Sequence, residues 1–160
     1  AVVSPDIGGI KRAQLFVEAL ERQAPGRTRL AFVEKRRAQG RLSGERLVGE
    51  VAGCDAIVID DLCATGTTLA RAARALRDGG AARVEAVVTH ALMPGTAMPA
   101  ALAGLVDRFI VTDSTGWPHP AGGDAEPLQV LSIAPLLGAA LRRMAAGEPV
   151  ADLLWEMPRA

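Results

Sequence analysis

A chain of 160 residues, 49% of them hydrophobic, has material for one compact domain with its own core. Lys plus Arg number 18 and Asp plus Glu 18, so the net charge is zero; with 3% aromatic residues and no tyrosine, neither the basic footprint nor the base-stacking surface of a nucleic-acid binder is present. Cys54 and Cys63 give no disulfide framework and no metal-ligand spacing, which points to a reducing cytoplasm; apolar stretches broken by Pro135 or Arg142-Arg143 fall far short of a membrane span, and no secretory signal is read.

The chain opens directly on strand residues, Ala1-Val2-Val3, as expected of a segment of a longer polypeptide. Ser4-Pro5-Asp6-Ile7-Gly8-Gly9-Ile10-Lys11-Arg12 follows as a strand-to-helix turn. Asp6 there is suited to a hard divalent cation, which favours one or two carboxylates plus phosphate oxygens; the alternative is a capped turn with glycines for packing. Gly9–Glu21 carries Ile10, Ala13, Phe16, Val17 and Leu20 at helical spacing. After a strand at Leu30–Val33, the polar and basic stretch Glu34–Gly44 is expected to be a loop. In extended chain its Lys35 and Arg37 point to one side, where two cations can neutralise a transferring phosphoryl group; a solvated basic loop is the alternative.

Further strands are expected at Ala56–Asp60, Val84–Thr89, Phe109–Thr112 and Leu128–Ile133, with helices at Leu69–Arg77 and Pro99–Leu105. Ser114–Pro127 is rich in proline and glycine and is expected to be irregular, with no chemistry assigned to Trp117 or His119. Ser132 is placed to cap a last long helix with Pro135 in its first turn. Its buried face would be Leu136, Leu137, Ala140, Leu141 and Met144, with Gly147 at its end and a short helix over Val150–Trp155 beyond. Alternating strands and helices without internal repeats predict an α/β fold, a parallel sheet flanked by helices on both faces.

The most informative segment is Asp60-Asp61-Leu62-Cys63-Ala64-Thr65-Gly66-Thr67-Thr68, between the apolar run ending at Ile59 and the helix from Leu69. It puts two carboxylates at the carboxyl end of a strand and bare N–H groups at a helix start, on the same sheet edge as Asp6. Vicinal sugar hydroxyls are suitable donors to Asp60 and Asp61, while the amides and hydroxyls around Thr65 to Thr68 can surround a phosphate. An ordinary turn with Asp61 or Thr65 as helix cap is the alternative. His90, at a strand end, reads as a packing or hydrogen-bonding residue.

This segment resembles the phosphoribosyl-diphosphate-binding loop of the type I phosphoribosyltransferase superfamily, with Ala64 where many members carry a third aspartate and Thr67 where many carry a second glycine. Ser-Pro-Asp-x-Gly-Gly, then Lys-Arg-Arg, then Asp-Asp-x-x-x-Thr-Gly-x-Thr is similar to the C-terminal half of the ribose-phosphate pyrophosphokinase family. The likeness extends through Gly49–Gly53, Val88-Thr89-His90 and the final Leu-x-x-Ala-x-Arg-Arg helix; Ala38 replaces a frequent proline.

The resemblance implies a single phosphoribosyltransferase-like domain over residues 1–160 that is half of a two-domain chain, lacking an N-terminal domain that supplies most ATP contacts. It implies transfer of the diphosphoryl group of ATP to the anomeric hydroxyl of ribose 5-phosphate, with Mg2+. Ala64, Thr65, Gly66, Thr67 and Thr68 would hold the 5-phosphate, and Asp60 and Asp61 the ribose hydroxyls. Asp6 would help bind the metal, Lys35 would be the principal catalytic cation, and Arg37 would assist catalysis and grip ribose 5-phosphate. A cytoplasmic homo-oligomer, a hexamer by family resemblance, is implied. The rivals are a stand-alone phosphoribosyltransferase and a non-catalytic regulatory homologue of the synthetase.

Overall fold

The computed structural model describes residues 1–38, 41–92, 98–116 and 127–154, with backbone only at 35–38, 41–44 and 154. Among them, β1 (Val2–Ser4), β2 (Leu30–Ala38), β3 (Arg41–Val48), β4 (Asp55–Cys63), β5 (Arg83–Ala91), β6 (Arg108–Thr112) and β7 (Leu128–Leu131) form one sheet. Its order is β3-β2-β1-β4-β5-β6-β7, and every pairing is parallel except that of β2 with β3. The expected α/β class is borne out.

Helices α1 (Ile10–Gln23) and α2 (Thr67–Asp78) cover opposite faces. Neighbouring strand residues point to opposite sides, so Val3 and Val58 join the core under α2, whereas Val2 and Ile59 join a smaller cluster under α1. Leu69, Ala72, Ala73 and Leu76 of α2 repeat at helical spacing and are buried, the alanines letting the helix settle close to the sheet. Ala13 of α1 is buried, with Phe16, Val17 and Leu20 packed beside it on the expected face. No described helix is long and apolar enough to cross a membrane.

Four expectations are corrected. In its described part Glu34–Gly44 is strand rather than loop: β2 continues to Ala38 and pairs antiparallel with β3 from Arg41, with a register shift between Arg36 and Arg37. Backbone hydrogen bonds need no apolar side chains, so an edge hairpin forms from polar residues. Pro99–Leu105 contains only a 3-10 turn, Ala100–Leu102, and β7 ends at Leu131 rather than at Ile133. The fourth concerns α3 (Ala134–Ala146), which forms with Pro135 in its first turn and Gly147 ending it, as expected. Its apolar face is not buried: Leu136, Leu137, Leu141 and Met144 are 44–66% exposed. The helix packs on the 3-10 turn Ala151–Leu154. Leu141→Ala is therefore expected to change the stability of this chain in urea unfolding by less than about 0.5 kcal/mol, instead of the roughly 2–5 kcal/mol of a core leucine. The Ser114–Pro127 stretch falls largely outside the described residues, as do Trp117, His119 and Trp155.

Candidate active site

Strand order reverses at β1: β2 lies on one side of it and β4 on the other. In an open parallel sheet the crevice beyond such a reversal is where ligands bind. Both acidic segments singled out in the sequence lie at that end of the sheet. Asp6 follows β1, and Asp60 and Asp61 occupy the carboxyl-terminal part of the adjacent β4, which runs on in register to Cys63 opposite Ala91.

Gly66, at the start of α2, has φ 78°, a left-handed conformation, and a Cβ there would lie 3.3 Å from Pro99 Cβ. Ala70 N–H donates to Gly66 O at 2.8 Å, the first helical bond, so the preceding amides of the turn have no partner within the helix. No side chain caps α2, although Thr67 N–H makes a long contact to Thr65 Oγ1 at 3.4 Å. The hydroxyls of Thr65 and Thr67 lie 2.9 Å apart at the exposed mouth. A cavity of about 160 Å³ is lined by Asp60, Ala64, Thr65, Gly66, Thr67 and Thr68, together with Leu62, Cys63 and Leu69. That is several times the roughly 30 Å³ a water occupies in the liquid. Gly66→Ala is expected to destabilise the fold by about 1–2 kcal/mol in urea unfolding, because alanine disfavours this backbone conformation.

Asp60 and Asp61 share one cation that carries no role in the sequence reading. Arg12 Nη1 donates to Asp60 Oδ1 at 3.0 Å, and Arg12 Nη2 lies 2.6 Å from Asp61 Oδ2. Asp60 Oδ1 also accepts from the Asp61 amide at 2.9 Å. The pairing engages one oxygen of each acid; among the described residues the other has no ion-pair partner, and Asp61 remains 59% exposed. Burial lifts the Asp60 carboxyl above the usual carboxylate range, a shift that the Asp61 amide and the Arg12 charge oppose and the Asp61 carboxyl reinforces. Burial likewise pushes the Cys63 thiol up.

Asp6 Oδ1 accepts from Gly9 N–H at 3.1 Å, so the capping reading of this turn holds locally. No group of three or more His, Cys, Asp or Glu that could enclose a metal occurs among the described residues. Among the described residues Asp6 therefore offers a divalent cation one carboxylate, whose Oδ1 already accepts from Gly9 N–H. Lys35 and Arg37 lie on β2 opposite Glu45 and Leu42 of β3. Since Phe32 pairs with Ser4, the Lys35 backbone stands three residues, roughly 10 Å, further along the same sheet edge. His90 Nδ1 is 2.8 Å from Ser114 Oγ, the hydrogen-bonding role expected for it. A larger hollow of about 720 Å³ between β3 and α2 is lined by Glu45, Leu47, Arg71, Arg74 and Asp78, none of them singled out in the sequence. Its Arg71 Nε is within ion-pair distance of Glu45 Oε1, 3.2 Å, without hydrogen-bond alignment.

Residues 32–155 match the family model of the phosphoribosyl synthetase-associated domain. The chain is 39% identical over 153 residues to a ribose-phosphate pyrophosphokinase of Hyphomonas neptunium and 37% identical over 153 residues to that of Vibrio cholerae. Each alignment covers 95% of this chain and 47% of the relative, so the chain spans about half the length of the curated relatives it matches. Among solved structures it is similar to phosphoribosylpyrophosphate synthetase from Mycobacterium smegmatis, with a TM-score of 0.71 and 35% identity over 91% of this chain and 45% of that one.

Proposed function

The chain belongs to the phosphoribosyl synthetase-associated domain family, and from that premise we propose that it supplies the ribose 5-phosphate site and catalytic hairpin of a ribose-phosphate diphosphokinase. The observation that carries the reading is the cavity in which Asp60 and the Thr65–Thr68 turn face a common space. The 5-phosphate would sit against the amides and hydroxyls of Ala64 to Thr68, with a modest contribution from the α2 dipole. Asp60 and Asp61 would accept hydrogen bonds from the ribose hydroxyls. The anomeric oxygen would then attack the β-phosphorus of ATP. The bond from that phosphorus to its α,β-bridging oxygen breaks, AMP leaves, and the hydroxyl proton passes to solvent. Lys35 and Arg37 would neutralise charge on the transferring group, Arg37 also gripping the sugar phosphate; positioning and charge carry such a step. Asp6 would hold Mg2+, which when bound neutralises phosphate oxygens.

The substrates ATP and ribose 5-phosphate, cytoplasmic residence and a homo-oligomer belong to the same proposal. The exposed α3 face is the surface we assign to the half of the relatives' length that this chain does not span. Mixing this chain with the complementary half of a relative, ATP, Mg2+ and ribose 5-phosphate should yield phosphoribosyl diphosphate and AMP in equal amounts. Absence of product from a folded complex would count against the proposal, and a nucleotide formed from a free base and phosphoribosyl diphosphate would favour the transferase rival. Leu141→Glu should weaken this complementation while leaving the chain folded; unchanged complementation would remove α3 from the interface.

A further inference from the structure

We propose that Arg12 is a positioning residue for the sugar site: its guanidinium holds the Asp60 and Asp61 carboxylates side by side so that both meet a vicinal diol. The inference rests on the sugar-phosphate reading above. Its geometric basis is one fork with a nitrogen on each acid, at 3.0 Å to Asp60 and 2.6 Å to Asp61. These acids are consecutive on β4. Consecutive strand residues point to opposite sides, and β4 runs on past these two to Cys63. A single group therefore reaches both only along the flank of β4, beyond the last residues that pair it with β1. Without it, like-charge repulsion favours protonating one carboxyl or turning it away.

The surroundings are shaped for this cation. Gly9 is buried, and a Cβ on it would stand 3.1 Å from Arg12 Nη1 and 2.5 Å from Ser4 Oγ. Ser4 is itself fully buried, its hydroxyl donating to Asp6 O at 2.6 Å. The bare glycine thus leaves room for both the serine and the guanidinium. Arg12 also sits in the first turn of α1, where a positive charge opposes the helix dipole and no acidic residue is present. Helix stability therefore does not account for it, whereas the two acids across the crevice do. Arginine suits the role because its planar fork fixes two acceptors at once, which the single ammonium of lysine does not.

The test is calorimetry on the folded chain and its Arg12→Met and Arg12→Lys variants, titrated with ribose 5-phosphate and with 2-deoxyribose 5-phosphate, which lacks the diol. Arg12→Met should weaken ribose 5-phosphate binding about tenfold or more while changing deoxy-sugar binding less than about twofold, with Arg12→Lys restoring only part of the difference. Equal losses for both sugars would indicate a purely structural role and overturn the proposal. So would unchanged affinity, or tighter binding once the arginine is gone. If the unaltered chain binds neither sugar, the sugar-phosphate reading fails, and a crystal structure of Arg12→Met judges the positioning claim separately. Carboxylates that swing apart support it, and carboxylates left in place overturn it.

Discussion

Lys35→Ala is expected to lower turnover by about 10²-fold or more, the typical loss of one donor to transition-state charge, while leaving ribose 5-phosphate affinity within a small factor of normal. The two effects separate because the sugar phosphate is assigned to the turn beyond β4, whereas Lys35 is carried on β2. Parallel pairing of β2 with β1 directs both strands to the same edge, and Lys35 pairs antiparallel with Glu45 of β3. A compact ammonium there would meet charge that grows only as the diphosphoryl group moves. The measurement is steady-state kcat for the variant joined to the complementary half, set beside calorimetric affinity for the sugar phosphate. Normal turnover would remove Lys35 from the chemistry, and a proportional loss of affinity would make it a binding residue.

Asp60→Asn should weaken ribose 5-phosphate binding by roughly tenfold or more, the value of one charge-assisted hydrogen bond, in isothermal calorimetry. Asparagine keeps the shape and removes the charge, and it leaves Arg12 paired with Asp61 alone. Because burial raises the Asp60 carboxyl, affinity should be full above that raised pKa and fall below it, at a higher pH than for an ordinary exposed carboxylate. Stability runs the other way. A carboxyl raised in the folded state binds more protons folded than unfolded, so its contribution to stability grows as pH falls from the raised pKa toward the unfolded value. The Asp60→Asn substitution should remove this carboxyl's contribution to both trends. Unchanged affinity across the titration would take Asp60 out of the site.

What could be read from the sequence was mainly what is local in the chain. The helices α1 and α2 declare themselves because their apolar residues repeat on one face, and the central strands because they are apolar on both. Asp60 and the Thr65–Thr68 turn are neighbours in sequence, so their meeting in one cavity follows from a strand, a turn and a helix in succession. The β2–β3 hairpin was not legible, since an edge pairing made by backbone groups leaves no apolar alternation in residues such as Glu34-Lys35-Arg36-Arg37. For α3 the spacing identified an apolar face without saying what covers it; burial is a property of the surroundings, and here Leu141 is 65% exposed. The role of Arg12 has no local signature, because its partners lie 48 and 49 positions away. The signal that could have found it is a cation in a helix's first turn, just after the Ser4–Gly9 turn, facing an Asp-Asp pair on the neighbouring strand.

Two-dimensional amide NMR of the folded chain during titration with ribose 5-phosphate tests the pocket most directly. Saturable shifts concentrated at Asp60, Asp61 and the amides of Thr65 to Leu69 are the predicted result. No shifts at millimolar sugar phosphate, or shifts centred instead on Arg71 and Arg74 beside β3, would contradict it.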